Sequence, residues 1–404
     1  MLRSSLRQHF SPVTAVFLIV LVDVLGFTII LPLLPFYAER FGASPMLIGA
    51  LLAAYAACQL ISGPFLGRWS DTIGRKPLLL VSQVGTCLSF ILLAFAPNMT
   101  WVFLARILDG VTAGNISLAQ AAISDVTAPH ERGKAFGKVG VAFGIGFLIG
   151  PALSGFLSRF GYAVPILTGA ALSGLSILAT ILLLPADRTK TAKAQSGAPI
   201  KLIDLKQYAG FFNLPGLRLR LVQLFTFIMA FSMYTSGIAL FAGRRLEING
   251  KMFGPSDVAY ILAYGGLLGI LIQGFMMGRL IKRFGELTLV KFGFIALAIG
   301  MLVLSIANGL IVALLAANFT ALGHGTLRPT LNSLVSQSVG PQEQGAVLGL
   351  SQSLQSMAQI LAPLIGGWLI EQRVESVWAL AAALFAIFGL VVPWRHQQAR
   401  AGTT

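Results

Sequence analysis

GRWSDTIGRK, from Gly67 to Lys76, is a short polar run between two apolar stretches, 46 to 66 and 77 to 96. Each stretch is about 20 residues long, enough at about 1.5 Å per residue to cross roughly 30 Å of hydrocarbon. The run between them has room only for a tight turn, and its glycines permit one. Traces of it return later in the chain, where Gly278, Arg279 and Gly285 match Gly67, Arg68 and Gly74. At almost the same spacing Pro341, Glu343, Gly345 and Gly349 match Pro129, Glu131, Gly133 and Gly137, and Pro363, Gly367 and Leu369 match Pro151, Gly155 and Leu157. A spacing that holds over several elements marks two related halves, so the fold of the first half is repeated in the second.

Composition says what medium surrounds those halves. Of 404 residues 56% are hydrophobic and 11% charged, with a mean hydropathy of +0.82. A soluble domain carries about 25% charged residues because its surface faces water. Here most of the surface must face lipid. The apolar runs predict spans over 13 to 36, 46 to 66, 77 to 96, 101 to 124, 135 to 158 and 162 to 184, then 219 to 242, 256 to 278, 287 to 307, 310 to 335, 345 to 370 and 374 to 394. The expectation is an all-α membrane protein with twelve transmembrane helices in two six-helix pseudo-repeats, residues 1–185 and 219–404, joined by a cytoplasmic linker at 186–218. Strands alternating over about ten residues, the mark of a membrane barrel, are absent from the pattern. Arg3 and Arg7 precede the first apolar segment, but that segment holds Asp23 and runs to Pro35, longer than the apolar core of a leader, so it reads as a retained helix.

The net charge of +15 follows the topology. With the N-terminus inside, Arg3, Arg7, Arg68, Arg75, Lys76, Arg132, Lys134 and Lys138 fall in cytoplasmic segments, as do the basic residues of the linker, Arg279, Lys282, Arg283, Arg395 and Arg400. Far fewer fall outside: Arg40, Arg159, Arg244, Arg245, Lys251 and Arg373. This is the positive-inside bias of an integral membrane protein with both termini cytoplasmic, here assigned to a bacterial inner membrane, and not a nucleic-acid footprint. Cys58 and Cys87 both lie in apolar runs and read as small buried hydrophobes.

Charges inside the spans are the candidates for chemistry, because an ion at membrane depth is costly unless paired or hydrated. Asp23 is the sole charge of the first span. A carboxyl taken out of water favours its neutral form, the property a proton carrier needs. An Asp held permanently by an Arg, or capping a broken helix, is the alternative. Arg106 and Asp109 in the fourth span are three residues apart, hence on one helical face, and Ser117, Gln120 and Ser124 continue it. A purely structural pair is the other reading there. The fifth span holds Gly140, Gly144, Gly146, Gly150, Pro151 and Gly155, which suit close helix packing and a bend. In the 67-to-76 turn, Asp71 is placed to pair with Arg75 or a neighbouring helix end; the second copy has Lys282 at that position.

Several of these runs resemble one family. The Gly67, Asp71, Gly74 and Arg75 turn is similar to the signature between helices 2 and 3 of the major facilitator superfamily. Tyr55, Gln59, Pro64 and Ser70, with Asp23, Gly26, Pro32 and Pro35, resemble its tetracycline/H⁺ antiporter branch. The helix 5 glycines resemble the motif associated with antiporters, and Arg106 with Gly110 the helix 4 motif whose arginine helps to couple protons. The resemblance implies alternating access, with the 67-to-76 turn and Gly146, Gly150, Pro151 and Gly155 in conformational roles, and Asp23, Arg106 and Asp109 in proton coupling.

In the second half no carboxylate lies deep in a span, and Asp257 reads as a helix cap. Its polar residues, Gln223 and Tyr234 on the seventh span, His324 and Arg328 on the tenth, and Gln352, Gln355 and Gln359 on the eleventh, join Gln59 and Gln120 as candidates for a substrate cavity. Helix-to-helix hydrogen bonding is an equal alternative for these stripes, and His324 is a second candidate proton site. The chain has no phosphate-binding loop, metal-ligand cluster or nucleophile constellation, so neither an enzyme nor a cofactor or metal is expected. The partners expected are a small molecule, protons and the bilayer, with the monomer as the working unit. The function that results is proton-coupled export of a small amphipathic compound; transport of a sugar or other metabolite, and a non-transporting receptor or assembly protein, are the alternatives.

Overall fold

The computed structural model describes residues 12–115, 118–119, 121–122, 132–184, 210–340 and 343–401. The central linker, apart from its last residues, lies outside these, as do Ser117, Gln120 and Ser124. The helices are α1 (Pro12–Ile30), α2 (Leu34–Glu39), α3 (Pro45–Ile73), α4 (Arg75–Ala94), α5 (Met99–Thr112), α6 (Arg132–Leu157) and α7 (Ala163–Leu183). After the linker come α8 (Pro215–Arg245), α9 (Pro255–Ile270), α10 (Met277–Phe284), α11 (Glu286–Ser305), α12 (Leu310–Gln337), α13 (Gln344–Glu371) and α14 (Glu375–Ala401). A π-helical segment, Leu271–Met276, joins α9 to α10 as one span, and a two-residue hairpin, Glu247–Ile248 with Lys251–Met252, follows α8.

Among the described residues ten helices are long and apolar enough to cross a membrane, and Val16–Ile30 forms a shorter apolar helix. Two of the twelve predicted spans are interrupted within the described residues. The first predicted span is broken at Leu31 to Leu33, where Pro32 interrupts the helix before α2 begins. The fourth is broken after Thr112: Ala113 and Gly114 leave the helix, and helical backbone resumes at Asn115.

Contacts divide the chain into two units, Met1–Ala43 with Ala54–Leu202, and Ser44–Ala53 with Ile203–Thr404. Within the first, α1 packs on α6 and α7, and α4 on α5 and α7. Within the second, α8 packs on α13 and α14, and α11 on α12 and α14. These are the same pairings, helix for helix, so the repeat read from glycines and prolines is a repeat of packing. The first turns of α3 go with the second unit because small residues let backbones touch there. A β-carbon on Gly49 would lie 2.2 Å from the Pro363 carbonyl oxygen, and one on Gly367 2.5 Å from that of Pro45. Glu371 accepts hydrogen bonds from Ser44 Oγ (3.0 Å) and from the Met46 amide (2.9 Å), so it caps the start of α3.

The sides of the helices turned away from these contacts are apolar and exposed, as with Ile61, Phe95, Leu175, Phe275 and Leu384. For a chain of this hydropathy that surface belongs against lipid tails.

Candidate functional site

Within the first unit, close approaches bring α1 against three neighbours. On one side Gly146 and Gly150 of α6 face Val24 and Thr28; a β-carbon at Gly150 would lie 1.9 Å from the Thr28 hydroxyl oxygen. Thr28 Oγ1 donates across that contact to the Gly146 carbonyl at 2.9 Å. On the other side Gly26 and Gly169 of α7 both border the Phe90 ring of α4. Asp23 sits one turn before Gly26 and so turns towards α4 and α7. Ser176 and Gln83 lie beside its carboxyl, and Asp109 is near enough to act through its charge. Asp23 Oδ2 is itself buried with no hydrogen-bond partner.

Arg106 and Asp109 are each 5% exposed. Arg106 donates to Asp109 Oδ2 at 2.9 Å, as their three-residue spacing predicts. The guanidinium lies 4.5 Å from the centre of the Tyr55 ring, a cation–π contact from α3. Gly110 makes that contact possible: a β-carbon there would be 2.6 Å from the Tyr55 carbonyl oxygen and 2.8 Å from Cys58 Cβ. Ser62 Oγ donates to the Gly110 carbonyl at 3.1 Å. Thr86 and Ser89 of α4 lie near the Asp109 carboxylate, with the Ser89 hydroxyl donating to the Thr86 backbone carbonyl at 2.8 Å. The result is one buried polar layer in which α4 faces both carboxyl groups.

The break in α5 is repaired by the same helix. Ser82 Oγ donates to the Thr112 carbonyl and accepts from the Gly114 amide at 2.9 Å, so backbone groups freed by the interruption keep partners. Gly74, with φ of 110°, closes the turn between α3 and α4 in a conformation suited to glycine. After it Arg75 donates to Ser70 Oγ, and Lys76 Nζ donates to the Ile181 carbonyl at 2.9 Å and to that of Leu184. The turn is thereby tied to the C-terminal end of α7. The side chain of Asp71 lies outside the described residues, while Gly67 has open space around it.

In the second unit the polar candidates separate. Gln223 is 2% exposed and donates to the Gly389 carbonyl of α14 at 3.1 Å, while accepting from Arg220 at 2.8 Å. It ties two helices together, the alternative that the sequence left open. His324 stacks on Phe231 of α8 with centroids 4.0 Å apart, and Phe227 and Tyr234 complete an aromatic group around them. Arg328 follows His324 by one turn and is half-buried. Gln355 and Gln359 are half-buried on α13 and Gln352 is exposed; on α3, Gln59 is half-buried one turn beyond Tyr55. Asp257 accepts from the Gly254 amide at 2.9 Å, the helix cap expected of it. Among the described residues no cluster of His, Cys, Asp and Glu is placed to hold a metal.

Gln83, Ser176, Thr86 and Ser89 were not among the sequence candidates. Each sits in an apolar span where a lone amide or hydroxyl reads as packing, and only the meeting of α1, α4 and α7 shows what it faces.

Two related bundles of apolar helices with ionisable side chains buried inside one of them define a polytopic membrane transporter. The chain belongs to the Major Facilitator Superfamily, whose family model matches residues 16–363 and 253–402. It is 28% identical to multidrug resistance protein 2 of Bacillus subtilis, over 97% of this chain and 98% of that one. It is 30% identical to the class E tetracycline resistance protein of Escherichia coli, over 94% and 93% respectively. The solved structure of the nucleoside transporter NupG shares the fold with a TM-score of 0.75 at 14% identity, over 95% of this chain and 99% of that one. The human organic anion transporter MFSD10 gives a TM-score of 0.70 at 24% identity, over 94% and 98%. As a member of this family the chain is a transporter and not an enzyme.

Proposed function

We propose that this chain is a proton-coupled antiporter that exports a small amphipathic compound, drug-like or tetracycline-like, by alternating access. The observation that carries the proposal is the buried polar layer of the first unit. It holds one carboxyl, Asp23, with an unpartnered oxygen, beside a second, Asp109, already paired with Arg106. A site of that kind exchanges a proton at one carboxyl and senses the exchange at the other pair. Asp23 takes the proton from outside, and the Arg106–Asp109 pair responds to the exchange of proton for substrate. The turn at Gly67, Asp71, Gly74 and Arg75 holds one state closed, and the α6 residues Gly146, Gly150, Pro151 and Gly155 allow α1 and α6 to slide.

The substrate class is supported by the relatives, which carry the names of multidrug, tetracycline and quinolone resistance proteins. Aromatic and uncharged polar side chains of the second unit, from Tyr234 and His324 to Gln355 and Gln359, suit an amphipathic solute. The protein works as a monomer in a bacterial inner membrane with both termini in the cytoplasm, as the distribution of basic residues supports.

The test is a resistance screen over a chemical panel in a pump-deficient bacterium, repeated with a protonophore. Raised resistance to at least one amphipathic drug, abolished by the protonophore, is the expected result. A panel without any shift, with proton-driven uptake of a sugar or other metabolite instead, contradicts the proposal.

A further inference from the structure

The hydrogen bonds around Asp23 are one proton short. Gln83 is fully buried, and its Nε2 donates to Ser176 Oγ at 2.8 Å. With the amide in that orientation Gln83 Oε1 is buried with no partner. Ser173 Oγ donates to the Gln83 backbone carbonyl at 3.1 Å and holds this part of α4 against α7. Ser176, also fully buried, has its own hydroxyl proton left to give. Asp23 presents a carboxyl to both side chains, and its Oδ2 is the second buried oxygen without a partner. A carboxylate oxygen and an amide oxygen are both acceptors, so neither satisfies the other.

A single proton resolves both. Resting on the reading of Asp23 as the coupling carboxyl, we propose that Gln83 and Ser176 are positioning residues that seat the transported proton on Asp23 in a closed ring of hydrogen bonds. In that ring Asp23 Oδ2–H donates to Gln83 Oε1, Gln83 Nε2–H to Ser176 Oγ, and Ser176 Oγ–H to Asp23 Oδ1. Every donor and acceptor is then used. Loss of the proton leaves Oδ2 and Oε1 as two buried acceptors without donors, so the packing of α1 on α4 and α7 is matched to the protonated carboxyl and is disturbed by its release.

The other charged and titratable groups around the ring are few. Asp109 faces it from α5 with its partner Arg106, and Tyr55 of α3 lies beyond that pair. Cys87 is one turn along α4, which carries Arg75 and Lys76 at its start, while α7 and residues 140–157 of α6 contain none.

Infrared difference spectroscopy on the purified full-length protein in lipid nanodiscs, at neutral pH, tests the ring directly. The expected spectrum has a carboxylic-acid carbonyl band that is lost in Asp23→Asn and shifts in position in both Gln83→Leu and Ser176→Ala. Ser176→Ala removes one hydroxyl and keeps the reading available should Gln83→Leu fold poorly. An Asp23 that is ionised at neutral pH, with Gln83 turned to give it an N–H, overturns the proposal, as does an acid band that neither variant moves. Pumping by Asp23→Asn with an unchanged proton requirement strikes the coupling reading instead and leaves these band positions as they are.

Discussion

A β-carbon at Gly110 has no space, since the Tyr55 carbonyl and Cys58 lie within 3 Å of it. Gly110→Val therefore forces α3 from α5 and lifts Tyr55 from the Arg106 guanidinium. Overpacking of this kind costs about 1 to 3 kcal/mol, and a lowered melting temperature in detergent is the expected reading. Gly140→Ala, where nothing lies within 4 Å, supplies the control and leaves that temperature unchanged. Arg106→Ala is harsher, because it strips the partner from a buried carboxylate, a loss of about 3 to 5 kcal/mol. At this scale the sequence was readable where chemistry is local. The Arg106–Asp109 pair follows from helical spacing, and the Asp257 cap from its place before an apolar run. Asp23 was visible as a charge out of place, but not its neighbours Gln83 and Ser176, because spacing along one helix says nothing about which other helices it meets. Gln223 shows the same limit: the sequence leaves a cavity wall and a helix-to-helix bond equally open, and its amide donates to the Gly389 carbonyl of α14.

Among elements, the interrupted α5 is the most exposed to a single change. Ser82 of α4 bonds both backbone groups at the break, so Ser82→Ala removes a cross-helix bond from each and leaves the local bond from the Gly114 amide to the Thr112 carbonyl at 2.7 Å. Each lost hydrogen bond costs about 0.5 to 1.5 kcal/mol, and amide hydrogen exchange around Ala113 and Gly114 should rise above that of the intact Gly85 to Leu93 segment. A second prediction concerns the turn after α3. Lys76 bonds two carbonyls at the end of α7, whereas the matching position of the second copy is Leu287, which has no cation to offer. Lys76→Met should fray the last turn of α7, an effect of about 0.3 to 1 kcal/mol for a cation at a helix C-terminus, and Leu287→Met, at the matching position, should leave the second unit unchanged. The ten long spans among the described residues were legible, since a long apolar run in lipid has little choice but helix, while the short hairpin after α8 and the π-helical segment were not. The breaks were less so. Pro32 lies at the first, yet the span was read as continuous from 13 to 36, and the break at Ala113 depends on Ser82 from another helix and leaves only a faint local trace.

Over the whole molecule, the repeat of glycines and prolines became a repeat of packing, with α1 on α6 and α7 answered by α8 on α13 and α14. Two units with separate cores should survive a cut between them. Co-expressed halves divided near Gln195 are expected to assemble and transport, since no apolar helix is severed and loops tolerate nicking; complete loss of folding would contradict the linker at 186–218. The central claim is that the first unit carries the coupling proton on Asp23, and the most direct measurement is the pH dependence of substrate uptake into inside-out vesicles. Asp23→Asn, normalised to folded protein, keeps the shape of the side chain and removes the titrating group. The account predicts that accumulation against a gradient vanishes while downhill exchange persists. Active pumping by Asp23→Asn with an unchanged proton requirement would contradict it and move the coupling site to Asp109 or His324.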